Sequence, residues 1–208
     1  LIVTSSAYRM SSSAAGNEAN LAKDPENVRL WRRTPIRLES EVVRDSILSL
    51  AGTLDFTRGG PPVLSAAHSD SNRRSLYFFH SNNERNAFLL TFDGASVKEC
   101  YRREQSVLPQ QALALSNSGL VHDAAGRIAE RLSHTAGSDQ QLTDQEFTRK
   151  AFYELLGIHA NDREIHASLE AMETWRKATN GPTDAGIDPA RKYLVWALFN
   201  HSDFVTMR

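Results

Sequence analysis

Glu41 and Asp45 stand four residues apart in the segment Arg37-Leu38-Glu39-Ser40-Glu41-Val42-Val43-Arg44-Asp45, and Asp93 precedes Gly94 at a turn. On a helix, Glu41 and Asp45 share one face, where two carboxylates can divide acid and base roles. Converging with Asp93, Arg44, Arg74 and Tyr77, they would make a hydrolase-like acid/base pair or a sugar-binding cleft. The competing reading is structural: Arg73 and Arg74 pair with Glu39, Glu41 or Asp93 and pin a strand against the helix. Arg37, Glu41 and Arg44 are also spaced i, i+4, i+7. That spacing sets a carboxylate between two guanidinium groups, as a solvated ladder or as a buried network.

Other chemistries find less to work with. His68, His80, His122, His134, His159, His166 and His201 are scattered, with no His-x-x-x-His pair, so no metal site is expected. Asp70, Asp93 and Asp123 lack the spacing of an EF-hand calcium loop. Cys100 is the only cysteine, which excludes an internal disulfide, a cysteine-based zinc cluster and a Cys-x-x-Cys-His haem attachment in this chain. Beside Glu99, with Arg102 and Arg103 the cations that could lower its pKa for a dyad with a distant His, it reads instead as a packed or incidental thiol. No Gly-x-Ser-x-Gly elbow occurs. Gly59-Gly60 runs into Pro61-Pro62, which have no N–H groups to offer a phosphate.

The helix that would carry Glu41 and Asp45 is expected to open at Pro35, a residue suited to a first turn. Ile36, Val43, Ile47 and Leu50 form its apolar stripe, and Gly52 suits a left-handed C-terminal cap. Leu1 to Met10 reads as a helix end or short strand, and Ser11 to Asn20 as a mobile loop. Arg73 to His80 is the best strand candidate, with Ala87 to Phe92 as its partner, giving a short two-stranded element over about residues 74–92. From Pro109 the pattern is helical. One helix ends near Asn117, and the next carries Val121, Ala125, Ile128 and Leu132. Thr143-Asp144-Gln145-Glu146 is a capping box, Gly157 a stop, Asn161 with Glu164 a second cap, and Asp188-Pro189 a final helix start. Asn117 and Asn200 each follow an Ala-Leu pair, where a left-handed asparagine would cap a helix. Gly137 to Gln141 and the loop around Asn180-Gly181-Pro182 read as connections. The expected fold is mainly α: a multi-helix, bundle-like single domain over 1–208, with a subdivision into 1–135 and 142–208.

Composition narrows the partners. A chain of 208 residues with 40% hydrophobic and 24% charged residues is ordinary for a globular domain. Its formal net charge of −1 argues against a general nucleic-acid or membrane-surface binder. No apolar run approaches the roughly 20 residues of a membrane-spanning helix. The chain opens Leu1-Ile2-Val3-Thr4 without an initiator Met, so we read it as a piece of a longer protein whose leader is not visible.

Six segments in order carry a resemblance. They are Leu1-Ile2-Val3-Thr4-Ser5-Ser6-Ala7-Tyr8-Arg9; Arg37-Leu38-Glu39-Ser40-Glu41 with Arg44-Asp45; and Arg73-Arg74-Ser75-Leu76-Tyr77. Phe92-Asp93 with Cys100 follows, then Pro109-Gln110-Gln111-Ala112-Leu113-Ala114-Leu115-Ser116-Asn117, then Ala197-Leu198-Phe199-Asn200-His201-Ser202-Asp203-Phe204. Together they resemble the planctomycete PSD-one domain, a family of unknown function (domain of unknown function 1553). Ile158-His159-Ala160-Asn161 departs from the Arg-Pro-Pro-Thr-like turn usual in that family. The resemblance implies a domain that begins before Leu1 and follows a cytochrome-associated domain in a large extracytoplasmic bacterial protein. It supplies no catalytic residues. Any haem would belong to other domains of the parent protein, and the partners implied are those upstream domains and a cytochrome.

Two functions are therefore expected to compete. One is a non-catalytic structural or interaction module beside cytochrome-type domains. The other is a polysaccharide-binding or hydrolytic domain that uses Glu41, Asp45 and Asp93.

Overall fold

A computed structural model describes residues 1–99, 103, 105–134, 141–179 and 188–207. Cys100, Arg102, all of the expected linker Gly137 to Gln141 except Gln141, and the loop around Asn180-Gly181-Pro182 lie outside the described residues. The chain forms two compact units, Leu1–Leu38 with Val205–Arg208, and Glu39–Phe204.

In the first unit a 3-10 turn at Ile2–Thr4 precedes helix α1, Glu18–Lys23. The helix starts inside the stretch expected to be a mobile loop, because Glu18 turns back to accept the Gly16 N–H at 3.0 Å. Buried Asn27 has φ +58 and organises the following loop: its amide donates to the Arg32 carbonyl (2.7 Å) and accepts the Arg32 N–H (3.1 Å). Strand β1, Ile36–Arg37, pairs antiparallel with β2, Thr206–Met207, in the register Ile36 to Met207 and Arg37 to Thr206.

That pairing corrects the expected start of the central helix. Helix α2 spans Ser40–Leu50, not Pro35 onward, because Ile36 and Arg37 spend their backbone groups on the opposite end of the chain. Arg37 is consequently a strand residue, and the i, i+4, i+7 ladder with Glu41 and Arg44 does not form on one helix. The far end follows expectation. Gly52 has φ +71, its N–H donates to Ser49, and the Thr53 N–H donates to Leu48, a Schellman closure.

The two-stranded element also lies elsewhere than over 74–92. Ser75–Tyr77 is a 3-10 turn, and Ala87–Thr91 is a short helix, α3. Arg73 and Phe78 make isolated bridges to Asp55 and Val63 on either side of the turn, so the aromatic run touches its neighbour one residue at a time. The Asn86 side chain accepts the Leu89 N–H at 3.0 Å and starts α3, a cap that outweighs the β tendency of a short apolar run.

The rest is helical: α4 Pro109–Asn117, α5 Gly119–Leu132, α6 Asp144–Leu156, α7 Asp162–Thr179 and α8 Pro189–Phe199. Helix α8 packs against α5, α6 and α7, while α2 lies on α5. Val43, Ile47, Ile128, Leu132, Phe147, Met172, Val195 and Phe199 are sealed from solvent at their centre. The small residues Ala124, Ala125 and Ala129 of α5 are buried too, and Phe204 meets Phe199 edge-on at 4.7 Å. The capping box of α6 is complete in both directions, and Gly157 ends the helix at φ +67. Asn161 and Glu164 exchange reciprocal bonds of 2.9 and 2.8 Å before α7.

Of the two expected asparagine caps, Asn117 is corrected, since it is the last helical residue of α4 and Ser118 is the cap; Asn200 does cap α8, at φ −87, in the right-handed rather than the left-handed region. The Asn200 side chain instead donates to the Trp196 carbonyl (3.4 Å) and accepts the Ser116 hydroxyl (3.2 Å), so its role is a tie to α4.

Candidate functional site

The outward face of α2 forms one wall of an open cleft of about 600 Å³ that includes Glu39, Glu41, Val42, Asp45, Arg74 and Arg103. Leu54, Phe56 and Leu76 also line it, with Phe56 67% and Leu76 56% exposed. Glu41 and Asp45 do share the cleft, as their spacing requires of a helix. What each carboxylate holds decides what it can do.

Asp45 accepts both the backbone N–H (2.8 Å) and the hydroxyl (2.7 Å) of Ser75, and Arg74 approaches its other oxygen at 3.5 Å. It thereby caps the 3-10 turn at Ser75–Tyr77 from a different element. Arg44 is buried behind it and donates to the carbonyls of Arg73 (3.0 Å) and Ser71. Its guanidinium lies 4.5 Å from the centroid of Phe78, whose ring also stacks on His68 at 4.1 Å. Burial pulls the Arg44 pKa below its ordinary value against the opposing charge of Asp45.

Glu41 accepts the Ser40 hydroxyl (2.9 Å) and, on both oxygens, Nη1 of Arg103 (3.2 and 3.1 Å). Arg103 also reaches Glu39 at 3.6 Å. Burial pushes the Glu41 carboxyl up. Its own backbone N–H, the Ser40 hydroxyl and the Arg103 charge together outweigh that and leave it below the usual range. A general acid needs the opposite shift.

The remaining candidates sit elsewhere. Arg73 donates to the carbonyls of Thr57 (3.3 Å), Gly59 and Pro61 (3.1 Å) and lies over the Tyr77 ring at 4.0 Å. The Tyr77 hydroxyl accepts the Gly59 N–H at 2.9 Å. Arg73 and Tyr77 thus clamp the Gly59-Gly60-Pro61-Pro62 loop, whose glycines have φ +76 and +85. Asp93, at φ +60 after α3, accepts the N–H (2.8 Å) and hydroxyl (2.7 Å) of Ser106 and the Gln111 amide (3.4 Å). It ties the approach to α4 and is not among the cleft residues. No group of three or more His, Cys, Asp or Glu is placed to hold a metal among the described residues.

A second polar cluster was not anticipated. Asp144 at the start of α6 accepts Arg176 of α7 (2.6 and 2.9 Å) and Arg191 of α8 (3.0 and 3.1 Å), and Asp188 also pairs with Arg176. Hydrogen bonds from Arg176, opposed by burial and helped by Arg191, hold the Asp144 carboxyl below its usual range. The same bonds to Asp144 and Asp188 raise the Arg176 pKa. In the sequence, Asp144 and Asp188 registered only as cap residues, and Arg176 and Arg191 fall on separate helices with no local pairing signal. Arg103 was visible only as a neighbour of Cys100, and no pattern in the sequence singles out Phe56.

These features define a mainly helical domain whose charged side chains bind loops and helices to one another. The chain belongs to the PSD1 family, described as a protein of unknown function (DUF1553), whose family model matches residues 1–172. No curated protein and no solved structure matches it. The matched region takes in the α2 cleft, Asp93 and Asp144, whereas α8 lies beyond it. No described helix is long and apolar enough to cross a membrane.

Proposed function

We propose that this domain is a non-catalytic docking module of an exported multidomain bacterial protein, with the α2 cleft as its contact face. The observation that carries the reading is the pairing, in one cleft, of strongly exposed Phe56 and Leu76 with carboxylates already committed to Ser75 and Arg103. Exposed apolar anchors inside a polar rim are the anatomy of a protein contact. A carboxylate held by a guanidinium and below its usual pKa is poorly placed to donate a proton. The partner we propose is the preceding, cytochrome-associated domain of the same polypeptide. Export and the cytochrome neighbour rest on the family resemblance.

Titration calorimetry of this domain against that preceding domain tests the reading. Saturable binding that Phe56→Ser weakens by about tenfold, or 1.4 kcal/mol, is expected. Absence of binding, or hydrolysis of a glycan by the domain that Glu41→Gln abolishes, overturns it.

A further inference from the structure

Trp175 of α7 and Tyr193 and Trp196 of α8 line a second groove, of about 580 Å³, together with Ser116, Ala197 and Asn200. Tyr193, Trp196 and Asn200 are spaced i, i+3, i+7, so one helix face presents all three. The ring centroids stand 5.9 Å apart between Trp175 and Tyr193, and 6.2 Å apart between Tyr193 and Trp196. The His122 ring lies against Trp196 at 4.3 Å, tilted by 44°. Ser116 and Asn200, hydrogen-bonded to each other, form the polar edge. None of the named lining residues is charged.

We propose that this groove binds a neutral oligosaccharide chain by stacking. A pyranose ring has an apolar C–H face that lies flat on an aromatic ring, and an edge of hydroxyls that pairs with an amide and a hydroxyl. Three neighbouring aromatic side chains, turned by 74° between Trp175 and Tyr193 and by 48° between Tyr193 and Trp196, offer separate ring faces, with Asn200 and Ser116 at the margin for the hydroxyls. The volume falls in the range of ligand clefts, about 300–1,000 Å³. Among the described residues of the lining an anionic ligand would find no cation, and a quaternary ammonium no carboxylate to add to its attraction to the rings. A proline-rich peptide also docks in aromatic grooves, through donors to its carbonyls. The Trp196 Nε1 is buried with no partner among the described residues, so the indole adds no such donor, and titration with decaproline separates this occupant from a glycan. The groove shares no residue with the α2 cleft, so this proposal and the docking proposal stand or fall separately.

Trp175 and Trp196 are two of the chain's three tryptophans, so intrinsic fluorescence reports on the groove. The domain would be titrated with cellohexaose, laminarihexaose, a decaproline peptide and choline. A saturable emission change with at least one hexasaccharide is expected. Trp175→Leu and Tyr193→Leu, which keep apolar bulk but lose the flat face, should each weaken it by about tenfold or more. Tyr193→Phe should stay within about threefold of the parent, and Phe56→Ser and Glu41→Gln should leave the affinity unchanged. Circular dichroism shows whether each variant keeps its helical content. No response to either hexasaccharide, affinity indifferent to both leucine variants in the folded state, or a response to decaproline or choline alone overturns the proposal.

Discussion

The carboxylate of Asp45 grips Ser75 twice, through the backbone N–H at 2.8 Å and the hydroxyl at 2.7 Å, and so caps a turn that its own helix does not contain. Asp93 grips Ser106 in the same two-point manner, at 2.8 and 2.7 Å. Two of the three carboxylates that looked catalytic in the sequence are loop clasps. Each has one oxygen or more committed before any ligand arrives.

Removing the first clasp should cost stability. Asp45→Ala strands a buried turn N–H and leaves Arg44 without its neighbouring charge, a loss of about 2–3 kcal/mol. Ser75→Ala should cost about 1 kcal/mol, since the backbone bond survives. Urea unfolding of both single variants and the double variant should show a coupling of about 1 kcal/mol. Additive effects would mean that the two residues do not act together.

The Asp144 cluster should weigh more heavily on the helical core. Arg191 is buried, so Asp144→Ala leaves a charge with no carboxylate on α6 to meet it. The expected loss is about 3 kcal/mol. Asp144→Asn should cost less, because the amide oxygen still accepts one bond. Thermal unfolding followed at the far-ultraviolet helical signal measures both; equal losses would mean that the charge, which both variants remove, carries the whole effect and the retained amide oxygen none.

Acid should unfold this domain partly through the same groups. The folded-state pKa values of Glu41 and Asp144 lie below their ordinary values. Their contribution is therefore complete above the unfolded range of about 4, and is lost as pH falls through that range toward the folded values. Stability measured in urea should be nearly flat from about pH 7 to 5 and fall below about pH 4. Asp144→Asn should make that fall shallower. An unchanged slope would remove Asp144 from the account.

Gly157 isolates a purely conformational effect. It ends α6 at φ +67, and a Cβ there would meet no atom within 4 Å. Gly157→Ala should cost about 1 kcal/mol from left-handed strain alone, visible as a lower denaturant midpoint with an unchanged m-value. A neutral result would mean that the turn relaxes.

The helical core was legible because its signals are local. Thr143 with Glu146, Gly157, Asn161 with Glu164 and Asp188-Pro189 mark helix ends through bonds made within four residues, and all appear where the spacing put them. The misreadings share one cause. Pro35 to Leu38 has a helical apolar period, yet Ile36 and Arg37 pair with Met207 and Thr206 from the other end of the chain. Arg73 to His80 has strand composition, yet Asp45 turns it into a cap site. Local propensity is worth fractions of a kcal/mol per residue, and a distant partner readily overrides it.

Readable along the chain were a mainly helical fold, the starts of α6, α7 and α8, the glycine stops of α2 and α6, and the placing of Glu41 and Asp45 on one face. Those follow from backbone geometry and bonds between near neighbours. Folding in three dimensions set the rest: Asp45 and Asp93 clasp serines, Arg103 holds Glu41, and Asp144 joins three helices through Arg176 and Arg191. It also brought Trp175 beside Tyr193 and Trp196. A charge or an aromatic face carries no mark of its partner along the chain, because that partner is chosen by how helices pack in space.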